Sequence, residues 1–246
     1  MKIKCLIIAS IILSSSILFA QDFSIGFHDG ITWSGINGRF DFKNFKTTQI
    51  KNKIGHSLGF LFNLRTTSFL TLQMEMNYED KGFDFHSDIW LNGLGYSGNF
   101  NVKYITIPLI TNFEIGKNVR FYGSAGIYLG FLVKAENYTS FSSTSSPNLT
   151  IYDMSYDPTY IFNKYEFGGL IGLGIKIPLC EKVKLIIDSR YNFGLTKAAK
   201  NTDFDYNANQ WTEDTPDNFQ NVYNRSLTIS LGILYRLNKS KKDMSY

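Results

Sequence analysis

Polar and apolar residues alternate along eight stretches of this sequence, and this alternation constrains the fold more than any other feature. Successive side chains of a β-strand point to opposite faces, so a period of two predicts strands. In the third stretch, for instance, Leu72 and Met74 share one face whereas Gln73 and Glu75 share the other. The eight stretches predict an all-β fold, and they span roughly residues 23–33, 54–65, 69–80, 102–115, 119–136, 163–177, 182–195 and 225–237.

The connections between these stretches alternate strictly between long and short. Three are turns, at 66–68, 116–118 and 178–181, and four are long, at 34–53, 82–101, 137–162 and 196–224. Loops of about twenty residues without secondary structure are rare in compact soluble domains. Transmembrane barrels, in contrast, combine short periplasmic turns with long outer loops. We therefore expect an eight-stranded antiparallel up-and-down transmembrane β-barrel with short periplasmic turns and four long extracellular loops.

The first twenty residues have the composition of a targeting segment. Lys2 and Lys4 precede a mostly apolar run, which a triple serine at 14–16 interrupts before Ala20. This order is typical of a signal peptide, whereas a transmembrane helix, the alternative, needs about 20 predominantly apolar residues. The sequence thus predicts a signal peptide at 1–20, an outer-membrane barrel domain at 21–237 and a short periplasmic tail at 238–246.

Charged residues of both signs are concentrated on the polar face of the predicted strands. In a soluble barrel of the lipocalin type, which is the alternative, that face would meet water and the cavity would be apolar. The alternating loop lengths favour a membrane barrel, whose polar face points into the lumen. An eight-stranded barrel is just wide enough to be filled by side chains, so we expect a filled lumen and no open pore. The side chains expected to form this polar network are Arg65, Glu75, Glu79, Glu114, Arg120, Lys134, Glu166, Lys176, Lys184, Asp188, Arg190 and Arg236.

Aromatic residues on the apolar face cluster toward both ends of the strands. Two aromatic belts of this kind are favoured at the two interfaces of a membrane. The residues expected near the periplasmic rim are Phe23, Phe69, Phe113, Phe121 and Tyr235. Those expected near the outer rim are Trp33, Tyr78, Phe131, Tyr165, Phe167, Tyr191 and Phe193.

Two residues depart from the strand pattern. Asp29 falls on the apolar face of the first strand, where a carboxylate is costly; a bulge near Gly26 or Gly30 could turn it inward. Pro108 lies in the middle of the fourth strand and cannot donate a ladder hydrogen bond, so it requires a bulge or an unpaired position.

Three motifs resemble those of the PorT-like outer-membrane β-barrel family. They are Ile107-Pro108-Leu109 in the fourth strand, the Gly-x-Tyr-x-Gly motif at 126–130 in the fifth, and the Arg-Tyr-x-x-Gly-Leu motif at 190–195 in the seventh. The resemblance covers the barrel from the first strand to the eighth and implies the same eight-stranded fold. It also implies a role as an accessory component of a type IX secretion and gliding system.

The last strand resembles the signal that the barrel-assembly machinery recognises. Its residues at the family spacing are Ser230, Gly232, Tyr235 and Leu237. We therefore expect the assembly machinery to be a partner during biogenesis.

No residue pattern points to catalysis, a cofactor or a metal. His28 is expected to be a hydrogen-bonded interior residue, and Asp84, His86 and Asp88, which could in principle hold a divalent ion, are expected in a solvated loop. Some eight-stranded barrels hydrolyse lipid A with a triad of His, Ser and an acid, but the sequence selects no such triad. The net charge falls from +4 to +2 when the two lysines of the signal peptide are removed, which gives no case for nucleic-acid binding. Cys180 is then the one remaining cysteine, so no internal disulfide is expected.

The sequence predicts a monomeric, non-enzymatic outer-membrane barrel that serves envelope structure or recognition by its surface loops. The expected partners are outer-membrane lipid and lipopolysaccharide. The first long loop is basic, with Lys43, Lys46 and Lys51, and the fourth is acidic, with Asp203 and Asp205. Surface loops on a rigid scaffold are the usual seat of recognition. The secretion component and a lipid A-modifying enzyme are the two alternatives.

Overall fold

A computed structural model of the protein describes residues 22–40, 45–89, 94–143, 146–200, 203–205, 210–212 and 219–237. The expected signal peptide and the expected tail at 238–246 lie outside these residues, as do parts of the long connections. Strands dominate, and no helix in the described ranges is long and apolar enough to cross a membrane. The strands are β1 (Asp22–Phe40), β2 (Phe45–Arg65), β3 (Leu70–Ile89), β4 (Leu94–Ile115), β5 (Arg120–Ser143), β6 (Ser146–Tyr156), β7 (Tyr165–Pro178), β8 (Val183–Gly194), β9 (Asp203–Asp205), β10 (Gln210–Thr212) and β11 (Phe219–Arg236).

Eight of these strands close into a ring, which confirms the predicted eight-stranded antiparallel up-and-down barrel. Around the ring the order is β1, β2, β3, β4, β5, β7, β8 and β11, and β11 pairs with β1. A row of paired residues that starts at Asp22 and passes once around the ring returns to β1 at Thr32, ten residues higher. This shear means that the strands tilt by roughly 40° from the barrel axis. Of the other strands, β6 pairs with the outer part of β5, and β9 and β10 form a separate ribbon.

The two ends of the barrel differ. At the end where β1 begins and β11 ends, the turns are short, and the strands begin and end within one or two residues of the positions predicted from the sequence. At the opposite, outer end, six of the eight strands continue far into the predicted loops; for example, β1 reaches Phe40 and β3 reaches Ile89. The barrel therefore extends well beyond a minimal membrane-spanning ring.

The outer extension has an apolar interior. We call this cluster the outer cap; its buried residues are Ile36, Phe83, Phe85, Phe100, Val102, Tyr104, Ala135, Ile161, Phe162, Ala198, Ala199 and Val222. Two segments outside the strands contribute to it, 157–164 before β7 and 195–200 after β8, and an isolated bridge joins them at Phe162 and Ala199. Where water surrounds a barrel, apolar side chains belong inside, and the extension follows this rule.

Below the cap the arrangement is reversed. The interior of the ring carries buried polar and charged residues, whereas the outer wall exposes large apolar side chains such as Phe60 (62% exposed), Ile171 (56%) and Leu231 (55%). The aromatic residues assigned to both belts lie on this outer wall; Phe69, Phe113 and Phe121 are exposed at the turn end, and Trp33, Tyr78 and Tyr165 toward the outer end. A wall of this kind is stable where lipid surrounds the barrel.

Irregular pairing marks the level between these two parts. Register shifts lie at Asn52/Ser57 in the β2–β3 pair and at Lys103/Tyr104 in the β4–β5 pair. Gly82 has φ +148°, and a Cβ there would lie 1.8 Å from the carbonyl oxygen of Phe100, so only glycine fits. Bulges shift which residues of a strand face inward.

Pro108 has no partner on the β3 side, which meets one of the two sequence-based expectations for it on that side, but it pairs with Tyr128 on the β5 side. The β3–β4 ladder pairs Met74 with Leu109 and Asn77 with Thr106, but not the two residues between them. The missing N–H of Pro108 therefore removes no ladder hydrogen bond on that side.

The expectation that a bulge turns Asp29 inward is wrong. Pairing of β1 with β2 is continuous from Asp22 to Ser34, so the alternation keeps Asp29 on the outer wall. Its carboxylate Oδ1 lies 2.5 Å from Nε2 of His56, and both side chains are more than half exposed.

Candidate functional site

The structure distributes the twelve charged residues predicted for the lumen among three places. Four lie half-buried at the turn end of the barrel: Arg65, Arg120, Lys184 and Arg236. Seven are buried inside the ring: Glu75, Glu79, Glu114, Glu166, Lys176, Asp188 and Arg190. The twelfth, Lys134, is outside.

Lys134 faces outward because of the bulge in β5. The pairing of β4 with β5 passes from Lys103–Lys134 to Tyr104–Leu132 and skips one residue of β5. As a result, even-numbered residues of β5 face inward below the bulge and odd-numbered residues above it. The Lys134 ammonium lies 2.8 Å from Glu136, and its side chain is 53% exposed.

The central part of the lumen is organised around Glu75. Arg190 Nη1 lies 2.7 Å from one carboxylate oxygen of Glu75 and 2.6 Å from the other. Asn77 donates to the same carboxylate at 2.9 Å, and His28 Nε2 lies 3.6 Å from it. The Nε of Arg190 is 2.5 Å from Asp188. One buried guanidinium therefore neutralises carboxylates from two strands on opposite sides of the ring.

A second cluster fills the lumen toward the turn end. Glu114 accepts hydrogen bonds from Lys176 at 2.5 Å, from Thr71 at 2.7 Å and from Arg120 at 3.2 Å. The Lys176 ammonium also lies 4.9 Å from the centre of the Tyr122 ring, a cation–π contact. These bonds join β3, β4, β5 and β7 across the interior.

Lys81 is a lumen residue that the sequence-based prediction missed. It is 2% exposed, its ammonium lies 2.9 Å from Glu79, and the rings of Tyr104 and Tyr128 flank it at 5.5 and 5.1 Å. The third strand was predicted to end at residue 80, one position too early to include it. Lys81 lies where the polar lumen meets the outer cap.

Glu166 completes the upper part of the network. It accepts a hydrogen bond from the Tyr128 hydroxyl at 2.6 Å and from Asn224 Nδ2 at 2.9 Å. Tyr128 belongs to the Gly-x-Tyr-x-Gly motif and Arg190 to the Arg-Tyr-x-x-Gly-Leu motif, so both motifs supply side chains that fill the lumen.

Little space remains among these side chains. The cavity at the centre of the lumen has a volume of about 20 Å³ and is lined by residues that include His28, Asn77, Thr106 and Thr228. This is room for about one water molecule. Above it the outer cap closes the barrel, with the Phe100 ring 5.0 Å from that of Phe83 and 5.9 Å from that of Phe162.

The segment 157–164 is fixed to the barrel by polar contacts in addition to its apolar packing in the cap. Backbone N–H of Ala135 donates to the Thr159 hydroxyl at 3.0 Å, and Thr159 in turn donates to Asp157. The hydroxyl and the backbone N–H of Thr159 hold the pKa of the Asp157 carboxyl below its usual range. Partial burial raises the pKa of Tyr160 to about 12, and the Asp157 carboxylate adds to that shift.

The described residues assemble no arrangement that indicates catalysis or metal binding. No three His, Cys, Asp or Glu side chains among them come together as metal ligands. Asp84 and His86 lie on β3 and not in a loop as expected; the side chain of Asp88 lies outside the described set. Within the described strands, His56 also has no outward-facing serine beside it with which to form a catalytic pair. The outward-facing Ser189 lies three strands away, along the paired row Ser189–Ile229–Ile31–His56, which is about 14 Å at the usual strand spacing.

The residues of the predicted assembly signal lie on β11 and just beyond it. Tyr235 and Leu237 are exposed on the outer wall at the turn end, whereas Ser230 and Gly232 face inward. β11 is the strand that closes the ring against β1.

The chain is similar to several solved structures at low sequence identity. No curated protein shows significant similarity to the chain. Among solved structures, it is similar to OprG from Pseudomonas aeruginosa (13% identity, TM-score 0.48, covering 89% of this chain and 97% of OprG). It is also similar to Neisserial surface protein A (15%, 0.42, 87% and 97%) and to the attachment invasion locus protein Ail of Yersinia pestis (13%, 0.37, 87% and 98%).

The family assignment comes from the sequence itself. The family model described as "Outer membrane protein beta-barrel domain" matches residues 19–200, about three quarters of the chain. The chain therefore belongs to this family and is a β-barrel protein of the outer membrane.

Proposed function

We propose that this protein is a non-conducting, non-enzymatic barrel whose function lies on its outer surface, in envelope structure or in recognition. The filled lumen carries this proposal. Five buried carboxylates and three buried basic side chains occupy the space through which solutes would have to pass. The outer cap then blocks the outer end with tightly packed aromatic rings.

The length of the strands supports a role at the outer surface. A membrane-spanning strand needs about 9–11 residues, but β3 has 20 and β5 has 24. The additional residues form an extension with its own apolar core, which holds surface features in fixed positions. A rigid scaffold of this kind suits contact with other molecules.

Cationic residues near the outer aromatic belt support lipopolysaccharide as a partner. Each of them is half-buried or exposed. Each also lies next to an outward-facing apolar residue, or a few residues from one in the direction of the outer end. They are Lys53, Lys103, Lys134, Lys164 and Arg225. Lipid phosphates are anionic, and basic side chains close to the membrane surface attract them. Acidic neighbours such as Glu136, which lies 3.6 Å from Lys103, temper this charge.

Gene deletion combined with liposome swelling tests the proposal. Liposomes that contain the purified protein should be no more permeable to small sugars than empty liposomes. The deletion strain should lose resistance to detergents or surface binding, while its uptake of small solutes and the mass spectrum of its lipid A stay unchanged. Rapid swelling, or an altered lipid A spectrum, would overturn the proposal.

A PorT-like role in type IX secretion is the second candidate, and the three family-like motifs are what favour it. In the structure, Tyr128 and Arg190 from two of these motifs are engaged in filling the lumen, which accounts for them without a secretion partner. Loss of secretion or gliding in the deletion strain, together with co-purification of large envelope partners, would support the secretion role over the surface role.

A further inference from the structure

The pair formed by Asp29 and His56 has an unusual position on the barrel wall. The carboxylate and the imidazole meet at 2.5 Å, and the side chains are 58% and 57% exposed. The residues around the pair on the same wall are apolar and exposed: Phe27 (50%), Ile31 (50%), Ile54 (64%), Leu58 (47%) and Phe60 (62%).

The pair lies at the depth of the lipid hydrocarbon. On β1, Asp29 is four residues below Trp33, which belongs to the outer aromatic belt, and six residues above Phe23 at the turn end. At about 3.3 Å per residue and a tilt of roughly 40°, this is about 10 Å below the outer belt. Ionisable groups are costly at that depth unless another group covers them.

The barrel cannot withdraw the pair from lipid by itself. The ladder holds Asp29 opposite Leu58 of β2 and Leu231 of β11 without a bulge. A different molecule must therefore supply the polar contacts that lipid chains cannot.

We propose that a second copy of this chain covers the pair, so that the protein forms a two-fold symmetric dimer through the β1–β2 wall. Rotation by 180° about an axis along the membrane normal leaves the depth of every atom in the membrane unchanged. It reverses the left-to-right order of the strands, as seen from the interface. Seen across such an interface, β1 of one protomer faces β2 of the other. Asp29 of each protomer then meets the His56 of its partner, as an isologous contact requires.

The chemistry of the pair fits this occupant. An acid and a base side by side are self-complementary under a two-fold rotation, because the carboxyl group of each protomer faces the imidazole of the other. In lipid, apolar surface provides no hydrophobic driving force for association, and close packing and polar contacts take its place. The flanking apolar residues would pack around the four polar groups and exclude lipid. The proposed dimer differs from the monomer expected from the sequence, and the cross-linking experiment decides between them.

Cysteine cross-linking in native outer membranes tests the dimer. Leu58 lies next to both members of the pair and thus close to the proposed axis, so Leu58→Cys should cross-link to its own copy with a short bismaleimide. The native cysteine is first removed by Cys180→Ser. Leu173→Cys is the matched control, because Leu173 is 71% exposed on β7, on the opposite wall of the ring.

Substitutions of the pair test its part in the dimer. Asp29→Leu or His56→Leu in the Leu58→Cys background should weaken dimerisation about tenfold, since either substitution removes both symmetry-related polar contacts between the protomers. The exchange Asp29→His with His56→Asp should restore it. A gel-mobility shift on heating confirms that each variant is folded. Equal cross-linking at positions 58 and 173, none at position 58, or cross-linking that both leucine variants leave unchanged, would overturn the dimer without affecting the proposed non-conducting function.

Discussion

The Tyr128 hydroxyl donates a 2.6 Å hydrogen bond to Glu166, and this bond holds the Tyr128 ring directly over Gly168. A Cβ at position 168 would lie 2.3 Å from Cζ of the ring. The absence of a side chain on β7 is thus what allows a large aromatic residue of β5 to lie across the lumen. Glycine-rich strands in this barrel serve the packing of its interior.

Replacing this glycine should destabilise the barrel. In Gly168→Ala the added methyl group would overlap the Tyr128 ring. The hydrogen bond to Glu166 keeps this ring from moving away, so we expect the free energy of unfolding to fall by about 1–3 kcal/mol. Gly123→Ala on β5 is the control, because its Cβ would meet only Leu173, at 3.9 Å. Urea unfolding in lipid vesicles measures both; equal free energies of unfolding would contradict the packing described for Tyr128.

Removing Arg190 should have a larger effect. Arg190→Ala leaves the buried carboxylates of Glu75 and Asp188 without their shared cation, and the loss of one partner of a buried ion pair costs about 3–5 kcal/mol. Lys134→Ala, which breaks an exposed pair with Glu136, should leave the free energy of unfolding almost unchanged. If the two variants unfolded at the same urea concentration, Arg190 would not hold the lumen together.

The outer cap should depend on Phe100. This ring is 1% exposed and packs between Phe83, Phe85 and Phe162, so Phe100→Ala should cost about 3–5 kcal/mol of cap stability. The segment 157–164 should then be cleaved at lower protease concentrations. Phe121→Ala removes a ring that is 57% exposed at the turn end and should leave cleavage of that segment unchanged. Equal protease resistance of the Phe100 variant and the unaltered protein would refute the cap.

The sequence predicted the membrane-embedded part of the barrel well because one physical rule governs it. Polar and apolar residues alternate there with few exceptions, such as Asp29 on the outer wall and Leu61 inside, so the strand number, the turns and the inward position of residues such as Glu75 and Arg190 followed from period two. The same rule placed Phe121 and Tyr165 on the outer wall.

The outer extension was not predicted because the meaning of the pattern changes above the membrane. Apolar residues such as Phe83 and Phe100 face inward there, and bulges interrupt the alternation at the transition. The bulge in β5 turned Lys134 outward, and the early end assigned to the third strand excluded Lys81. Pairing of Asp29 with His56 depends on register across two strands, which periodicity within either strand does not specify.

Single-channel recording in planar bilayers tests the closed lumen most directly. With Arg190 bound to Glu75 and Asp188 at the centre and the aromatic rings of the cap above, the purified protein should produce no stable conductance steps at any applied voltage that the bilayer withstands. Stable, large and reproducible steps from the folded, heat-modifiable protein would contradict a filled lumen and with it a function confined to the outer surface.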